Sequence, residues 1–166
     1  MKVRAEGAGD IDAVRAVHTA AFPTDAEAVL VDRLRIDAAV ISLVADDSES
    51  IVGHILFSPV TLERHRDVNI MGLAPVAVAP SRQRQGIGSA LVRGGLEACM
   101  RASVHAVVLV GHENYYPRFG FQPASRFGLR CEYDVPDDVF MAIELWTGAL
   151  AGKSGTVRYH PAFGNL

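Results

Sequence analysis

The chain has 166 residues, 49% of them hydrophobic and 21% charged, with 16 Lys and Arg against 19 Asp and Glu for a formal net charge of -3. With a mean hydropathy of +0.18 and a pI near 6.0, this excludes a disordered chain and leaves no global attraction to nucleic acid or anionic membrane. The length suits one compact unit with a sizeable core.

Residues 1–6 read as a short first strand, with charges too closely spaced for a secretory signal. Asp10 is placed to cap a helix in which Ile11, Val14, Val17, His18 and Ala21 form one apolar stripe. Pro23 ends that pattern. Thr24 with Glu27 three residues on predicts a capping box and a second helix carrying Leu30, Val31 and Leu34. The period then changes to two: residues 40–44 and 51–57 predict a hairpin across the polar turn 46–50. Residues 70–78 form a fourth strand-like run, in which Pro75 predicts a bulge or an unpaired stretch. A glycine-containing turn, a helical pattern from Ile87 to Ala98 and the apolar run 106–110 complete a βαβ unit. Aromatic residues crowd 115–121, and residues 139–146 supply a late strand. From Thr147 onward the chain reads as a turn-rich extension. The longest apolar stretches, 38–45 and 106–110, fall far short of the ~20 residues of a membrane helix. Two cysteines, Cys99 and Cys131, fit a reducing, cytoplasmic compartment.

The segment Gln83-Arg84-Gln85-Gly86-Ile87-Gly88-Ser89 lies between a strand and an amphipathic helix. A turn there presents backbone N–H groups at a helix N-terminus, where the macrodipole favours anions. Glycine permits the positive φ and close approach of a phosphate cradle, while Arg84 screens charge and Ser89 offers a hydroxyl. A phosphate or pyrophosphate ligand is implied. The Rossmann fingerprint fails here because Leu91 stands where a third glycine belongs. A Walker A reading of residues 148–154 fails because three residues rather than four separate its glycines.

The turn instead resembles the acyl-CoA signature of the GNAT superfamily of N-acetyltransferases: Gln or Arg, two residues, Gly, one residue, then Gly or Ala. Residues 83–88 match at every fixed position, residues 76–80 look like the family's fourth strand, and residues 116–121 look like its second conserved block. The resemblance implies a mixed α/β (α+β) fold, with a central twisted, mostly antiparallel sheet of about six to seven strands flanked by helices. It is expected to span residues 1–147, with 148–166 packed on the same domain as an extension. The implied reaction is acetyl transfer from acetyl-CoA to a primary amine of a small molecule or peptide, by direct attack on the thioester. Backbone groups from Gln85 to Ser89, Gly86 and Gly88 among them, are expected to hold the pyrophosphate, with Gln83 and Arg84 also in the cofactor site. Val76 and Val78 are expected to pair with the pantetheine arm like an added strand. The Val78 N–H is the candidate oxyanion donor, and Tyr116 stands where the family carries its general acid. A departing thiol at roughly 8.5 and a phenol at roughly 10 are close enough for proton transfer with modest tuning.

Residues 72–79 contain no ionisable side chain, so the general base stays open. His112 and Glu113 are candidates beside a reading as solvated loop residues, and His54 reads as a satisfied core histidine. The histidines and cysteines show no metal-ligand spacing, so no metal is expected, and neither a nucleic-acid nor a membrane partner is expected. Asp25, Glu27, Glu113, Glu132, Asp134, Asp137 and Asp138 fall in segments expected near the acceptor mouth, which suits a cationic amine. Homodimer formation is a further implication of the resemblance. The competing reading is a non-catalytic acyl-CoA-binding module that keeps the turn without the chemistry.

Overall fold

Lys2–Ala5 forms β1, and the helical stripes become α1 (Ile11–Ala21) and α2 (Ala26–Asp37). The computed structural model describes residues 1–165, so Leu166, the last residue of the expected extension, lies outside them. Next come β2 (Ile41–Asp46), β3 (Ile51–Leu62), β4 (Ile70–Val78) and α3 (Ile87–Arg101). Then follow β5 (Ala106–Val110), β6 (Gln122–Pro123), β7 (Leu129–Cys131), β8 (Phe140–Glu144) and β9 (Gly155–Arg158). The fold is mixed α/β with mostly antiparallel pairing. Seven of the nine strands among the described residues follow one another in the sheet, in the order β1, β2, β3, β4, β5, β8, β6, within the six to seven expected. The two off that path, β7 and β9, are three and four residues long, too short to show a period-two pattern.

The chain divides into two compact units, with β3, β4 and α3 contributing residues to each. The first comprises residues 1–58 and 74–98 and the described residues from Pro161 on. In it β1 pairs antiparallel with β2, and β2 with β3, in a register that sets Val44 against His54 and shifts between Ala45 and Asp46. The predicted polar turn is closed by the Asp47 carboxylate, which accepts the Ser50 N–H at 2.7 Å and the Arg82 guanidinium at 2.7 Å. One face of the helices is buried: Val14 from α1 and Leu30, Val31 and Leu34 from α2 pack on Val44 and Leu56.

Two helix starts differ from the sequence reading. Asp10 sits at the α1 cap position without a side-chain cap bond. Its carboxylate accepts instead from the Gly7 N–H and the Arg4 guanidinium, both at 2.7 Å, the latter a charge-assisted bond. That contact holds the Asp10 carboxyl at about 2, lowered chiefly by the Arg4 hydrogen bond. The Thr24 box is likewise not formed: Asp25 takes the cap position of α2, and the Thr24 hydroxyl accepts the Ala26 N–H at 3.3 Å.

Within α3, Gly95 lets the helix lie directly on Phe57, whose ring would overlap any Cβ placed there. Gly95→Ala is therefore expected to destabilise the protein by about 1–3 kcal/mol, although alanine is the better helix former. Urea unfolding checks this, and an unchanged midpoint would contradict the close packing.

The second unit comprises residues 59–73 and 99–160. Here the start of β4 runs parallel to β5 (Ile70↔Ala106 to Gly72↔Val108), which is the crossover expected of the βαβ reading. β5 pairs antiparallel with β8 over its whole length, and β8 with β6. Beyond Thr147, β9 lies parallel to β7 and antiparallel to the end of β3. β9 is thus built into a core of Val60, Leu62, Ile70, Val108, Phe140 and Val157. Cys99 is buried and both cysteines are free thiols. No helix among the described residues is long and apolar enough to cross a membrane.

Candidate active site

The first unit carries the glycine turn. After a single 3₁₀ turn at Pro80–Arg82, the chain takes a left-handed conformation at Arg84 (φ 64°) and again at Gly86 (φ 84°). The Gly86 carbonyl then accepts the Ala90 N–H at 3.0 Å, so α3 begins directly after it. The N–H groups of Ile87, Gly88 and Ser89 fall in the first helical turn, where no carbonyl four residues back lies within the helix. The turn is pinned at both ends. Gln83 donates its amide to the Val78 carbonyl at 3.1 Å, and Arg82 donates to Gln85 at 3.1 Å while bound to Asp47. Gln83 and Gln85 therefore brace the loop by side-chain bonds. Arg84, Gln85 and Gly86 are exposed, and Gly88 and Ser89 are half-buried.

β4 in this unit alternates, with Pro75 and Ala77 buried and Val76 and Val78 half-buried. The Ala79 N–H donates to the Val52 carbonyl of β3 at 2.9 Å. Successive N–H groups of an extended strand point to opposite sides, so those of Val78 and Val76 point away from β3. Turn and strand thus present, within one unit, a row of backbone donors leading into a helix N-terminus. Such an arrangement is able to receive an anion, with a strand edge continuing from it.

Tyr116 belongs to the second unit, on the 3₁₀ turn Tyr116–Phe119 that Gly120 closes at φ 103°. It is 9% exposed. Its ring meets Tyr115 and Phe121 edge to face at centroid distances of 5.0 and 5.9 Å, so the aromatic cluster exists as well. Gly111 makes room for it, since a Cβ there would come within 2.5 Å of Tyr116 Cε2. Burial, with a smaller contribution from Tyr115, pushes the Tyr116 phenol up to about 12. The tuning expected from sequence thus runs the other way: apolar walls penalise the phenolate, so the hydroxyl stays loaded with its proton but is a weaker acid.

Of the base candidates, Glu113 is held above the usual carboxylate range by a hydrogen bond to Asp138 and by that neighbour's charge. His112 is exposed, and its carbonyl accepts the Tyr115 and Tyr116 N–H groups at the start of the aromatic turn. His54 is satisfied, as expected of a core histidine: Nδ1 lies 2.7 Å from His18 Nε2, and Nε2 lies 2.7 Å from the Ser42 hydroxyl. The sequence reading missed this pair, because His18 looked like one more residue of the apolar stripe of α1. Both are fully buried. Desolvation lowers His18 to about 4, and desolvation with the neighbouring His18 and Arg35 lowers His54 to about 3.

Protonation of these histidines therefore favours the unfolded chain, where they titrate near 6.5. Their stabilisation is complete above that pH and falls as pH drops toward 4 and then 3, by about 1.4 kcal/mol per pH unit for each histidine. Urea unfolding between pH 7 and 4 should show this slope and show it reduced in His54→Gln. Equal slopes in the two proteins would contradict neutral burial.

Among the acidic residues expected at the mouth, Glu132 is occupied by the Tyr159 N–H at 2.9 Å and by Arg158. Asp134 and Asp137 line a cavity of about 400 Å³ with Leu129, Cys131 and Tyr133. Glu27 Oε2 is buried without a hydrogen-bond partner among the described residues. Those residues include no group of three or more His, Cys, Asp or Glu placed to hold a metal ion.

The family model described as "Acetyltransferase (GNAT) family" matches residues 11–121. The chain is 36% identical over 165 residues to the uncharacterised N-acetyltransferase YhbS of Escherichia coli K12, covering 98% of each. It is 38% identical over 134 residues to YjhQ of the same organism, another uncharacterised N-acetyltransferase, covering 78% of this chain and 74% of that one. The crystal structure of E. coli YhbS in complex with CoA superposes with a TM-score of 0.94 over 98% of this chain and 91% of that one. A GNAT acetyltransferase from Brucella melitensis in complex with acetyl-CoA is 33% identical and superposes with a TM-score of 0.78, over 98% and 97%.

Proposed function

The chain belongs to the acetyltransferase (GNAT) family and is an acetyl-CoA-dependent N-acetyltransferase, and from that premise we propose which of its residues carry the transfer. The backbone of residues 83–89, with the first-turn N–H groups of α3, holds the pyrophosphate. The N–H and C=O groups of Val76 pair with the pantetheine arm, and Val78 continues that row at the thioester end. The Val78 N–H donates to the thioester oxygen as the amine attacks, stabilising charge that develops there. Tyr116 protonates the departing thiolate. Its high affinity for its proton keeps it loaded at every working pH.

The observation that carries this reading is the paired left-handed turn at Arg84 and Gly86 opening α3, with the β4 N–H row directed away from β3. The acceptor is a primary amine of a small molecule or peptide; unpaired carboxylate oxygen such as that of Glu27 favours a cationic one. We assign residues 1–147 to the catalytic domain with 148–166 integrated in it, a cytoplasmic location, and self-association as a homodimer. The relatives' designations as N-acetyltransferases favour transfer over a binding-only module.

Calorimetric titration with CoA and with pantetheine tests the cradle. CoA is expected to bind at least a hundredfold more tightly, about 2.7 kcal/mol, because only it carries the pyrophosphate. Equal affinities would remove the phosphate-holding role from the turn.

A further inference from the structure

The loop Glu63-Arg64-His65-Arg66-Asp67 joins β3 to β4 within the second unit and has no part in the acetyl-CoA site described above. Its sequence alternates acid and base, so an isolated loop of this kind would neutralise itself. The fold prevents that. The Glu63 carboxylate accepts the Arg158 guanidinium at 2.9 Å, and the Asp67 carboxylate accepts the Lys153 ammonium at 2.7 Å. Both cations come from the chain beyond Thr147. The antiparallel register of β3 with β9 sets Arg158 opposite Thr61 and so delivers it to the loop. Arg158 also lies 3.5 Å from Glu132, so its own charge is spent.

Arg64 and Arg66 are left over. Their side chains make no ion pair or hydrogen bond among the described residues, and both are exposed. Arg64 is moreover left-handed, at φ 72°. The loop turns there through the His65 N–H, which donates to the Leu62 carbonyl at 3.0 Å. Such a φ costs a side chain about 1–2 kcal/mol, which glycine would avoid. The turn thus carries an arginine where its backbone favours glycine.

Both arginines line an open cavity of about 520 Å³ formed by residues 60–66 with Val68 and Arg158. That volume suits a small molecule. The wall also includes the Thr61 hydroxyl and the His65 imidazole, each able to bond an oxygen. With Arg158 and Glu63 cancelling, the charge the cavity offers is that of two guanidinium groups. A phosphomonoester at pH 7 carries about -1.5 to -2 and three acceptor oxygens, which matches the pair, whereas a single carboxylate balances only one of them. Guanidinium forks also meet phosphoryl oxygens two at a time. A long polyanion would meet the formal net charge of -3 on the rest of the surface, so the match favours a small ligand.

We propose that this cavity is a binding site for a small phosphomonoester, with Arg64 and Arg66 holding its phosphoryl oxygens. Lys153 and Arg158 are the positioning residues that keep the acids of the loop away from it. The site shares no residue with the glycine turn or Tyr116, and it does not rest on the acetyltransferase reading.

Calorimetric titration of the whole protein at low ionic strength tests this, with glucose 6-phosphate as the probe and glucose and acetate as controls. Glucose 6-phosphate should bind saturably and tighter than about 1 mM, with neither control doing so. A repeat with CoA saturating closes the anion cradle of the glycine turn, and the binding should persist. Arg64→Gly, which suits the left-handed backbone, and Arg66→Ala should each weaken it at least tenfold. Arg66→Lys, which keeps the charge but loses the fork, should weaken it less than Arg66→Ala. Urea midpoints should match the wild type in all three, since neither side chain has a partner to lose. Absence of saturable binding, wild-type affinity in folded Arg64→Gly and Arg66→Ala, or displacement of the probe by CoA would overturn the proposal. Affinity a hundredfold higher for a phosphoserine peptide or a single-stranded oligonucleotide would overturn the assignment to a small ligand.

Discussion

Gly86→Val should weaken CoA binding tenfold to a hundredfold while leaving the fold in place. At φ 84° the residue is left-handed, a conformation that costs a side chain about 1–2 kcal/mol and a β-branched one more. Nothing lies within 4 Å of a Cβ placed there, so the substitution disturbs no packing. It acts by bending the turn out of register with the first N–H groups of α3, and by placing methyls where the anion would approach. Calorimetry with CoA, alongside urea unfolding, separates the two effects. Wild-type affinity in a folded Gly86→Val protein would contradict the backbone cradle.

Tyr116→Phe should lower kcat by a hundredfold to a thousandfold with CoA affinity unchanged, within the range of a single lost general acid. The phenyl ring keeps the edge-to-face contacts with Tyr115 and Phe121 and still fits over Gly111. Stability should therefore hold. Because burial holds the phenol at about 12, activity of the wild type should show no loss attributable to Tyr116 ionisation below about pH 11. Unchanged turnover in Tyr116→Phe would leave the residue as a packing element only.

Much of the frame was legible from periodicity. The stripes of α1 and α2, the hairpin of β2 and β3, the βαβ run from β4 to β5 and the strand β8 all rest on repeated apolar spacing that burial enforces. The glycine turn was legible because positive φ at Gly86 is a backbone demand that glycine meets at no steric cost. Where local signals competed, partners distant in the chain decided the outcome. Asp10 looked like a cap until Arg4, six residues away in sequence, claimed its carboxylate. The strand β9 was invisible because its pairing with β7 and the end of β3 depends on partners distant in the chain, not on alternation of its own. The Ser42, His54 and His18 chain was hidden for the same reason. Each residue has an ordinary local explanation, and only the β2–β3 register and the packing of α1 align their polar atoms.

The roles given to residues 76–89 and to Tyr116 all serve acetyl transfer from acetyl-CoA to an amine by this chain. Its most direct test is release of free CoA thiol from acetyl-CoA by the purified protein across a panel of small amines, polyamines and peptides. Saturable, acceptor-dependent release that yields the N-acetylated amine is the predicted result. Tight CoA binding with no thiol release above background for any amine would contradict it.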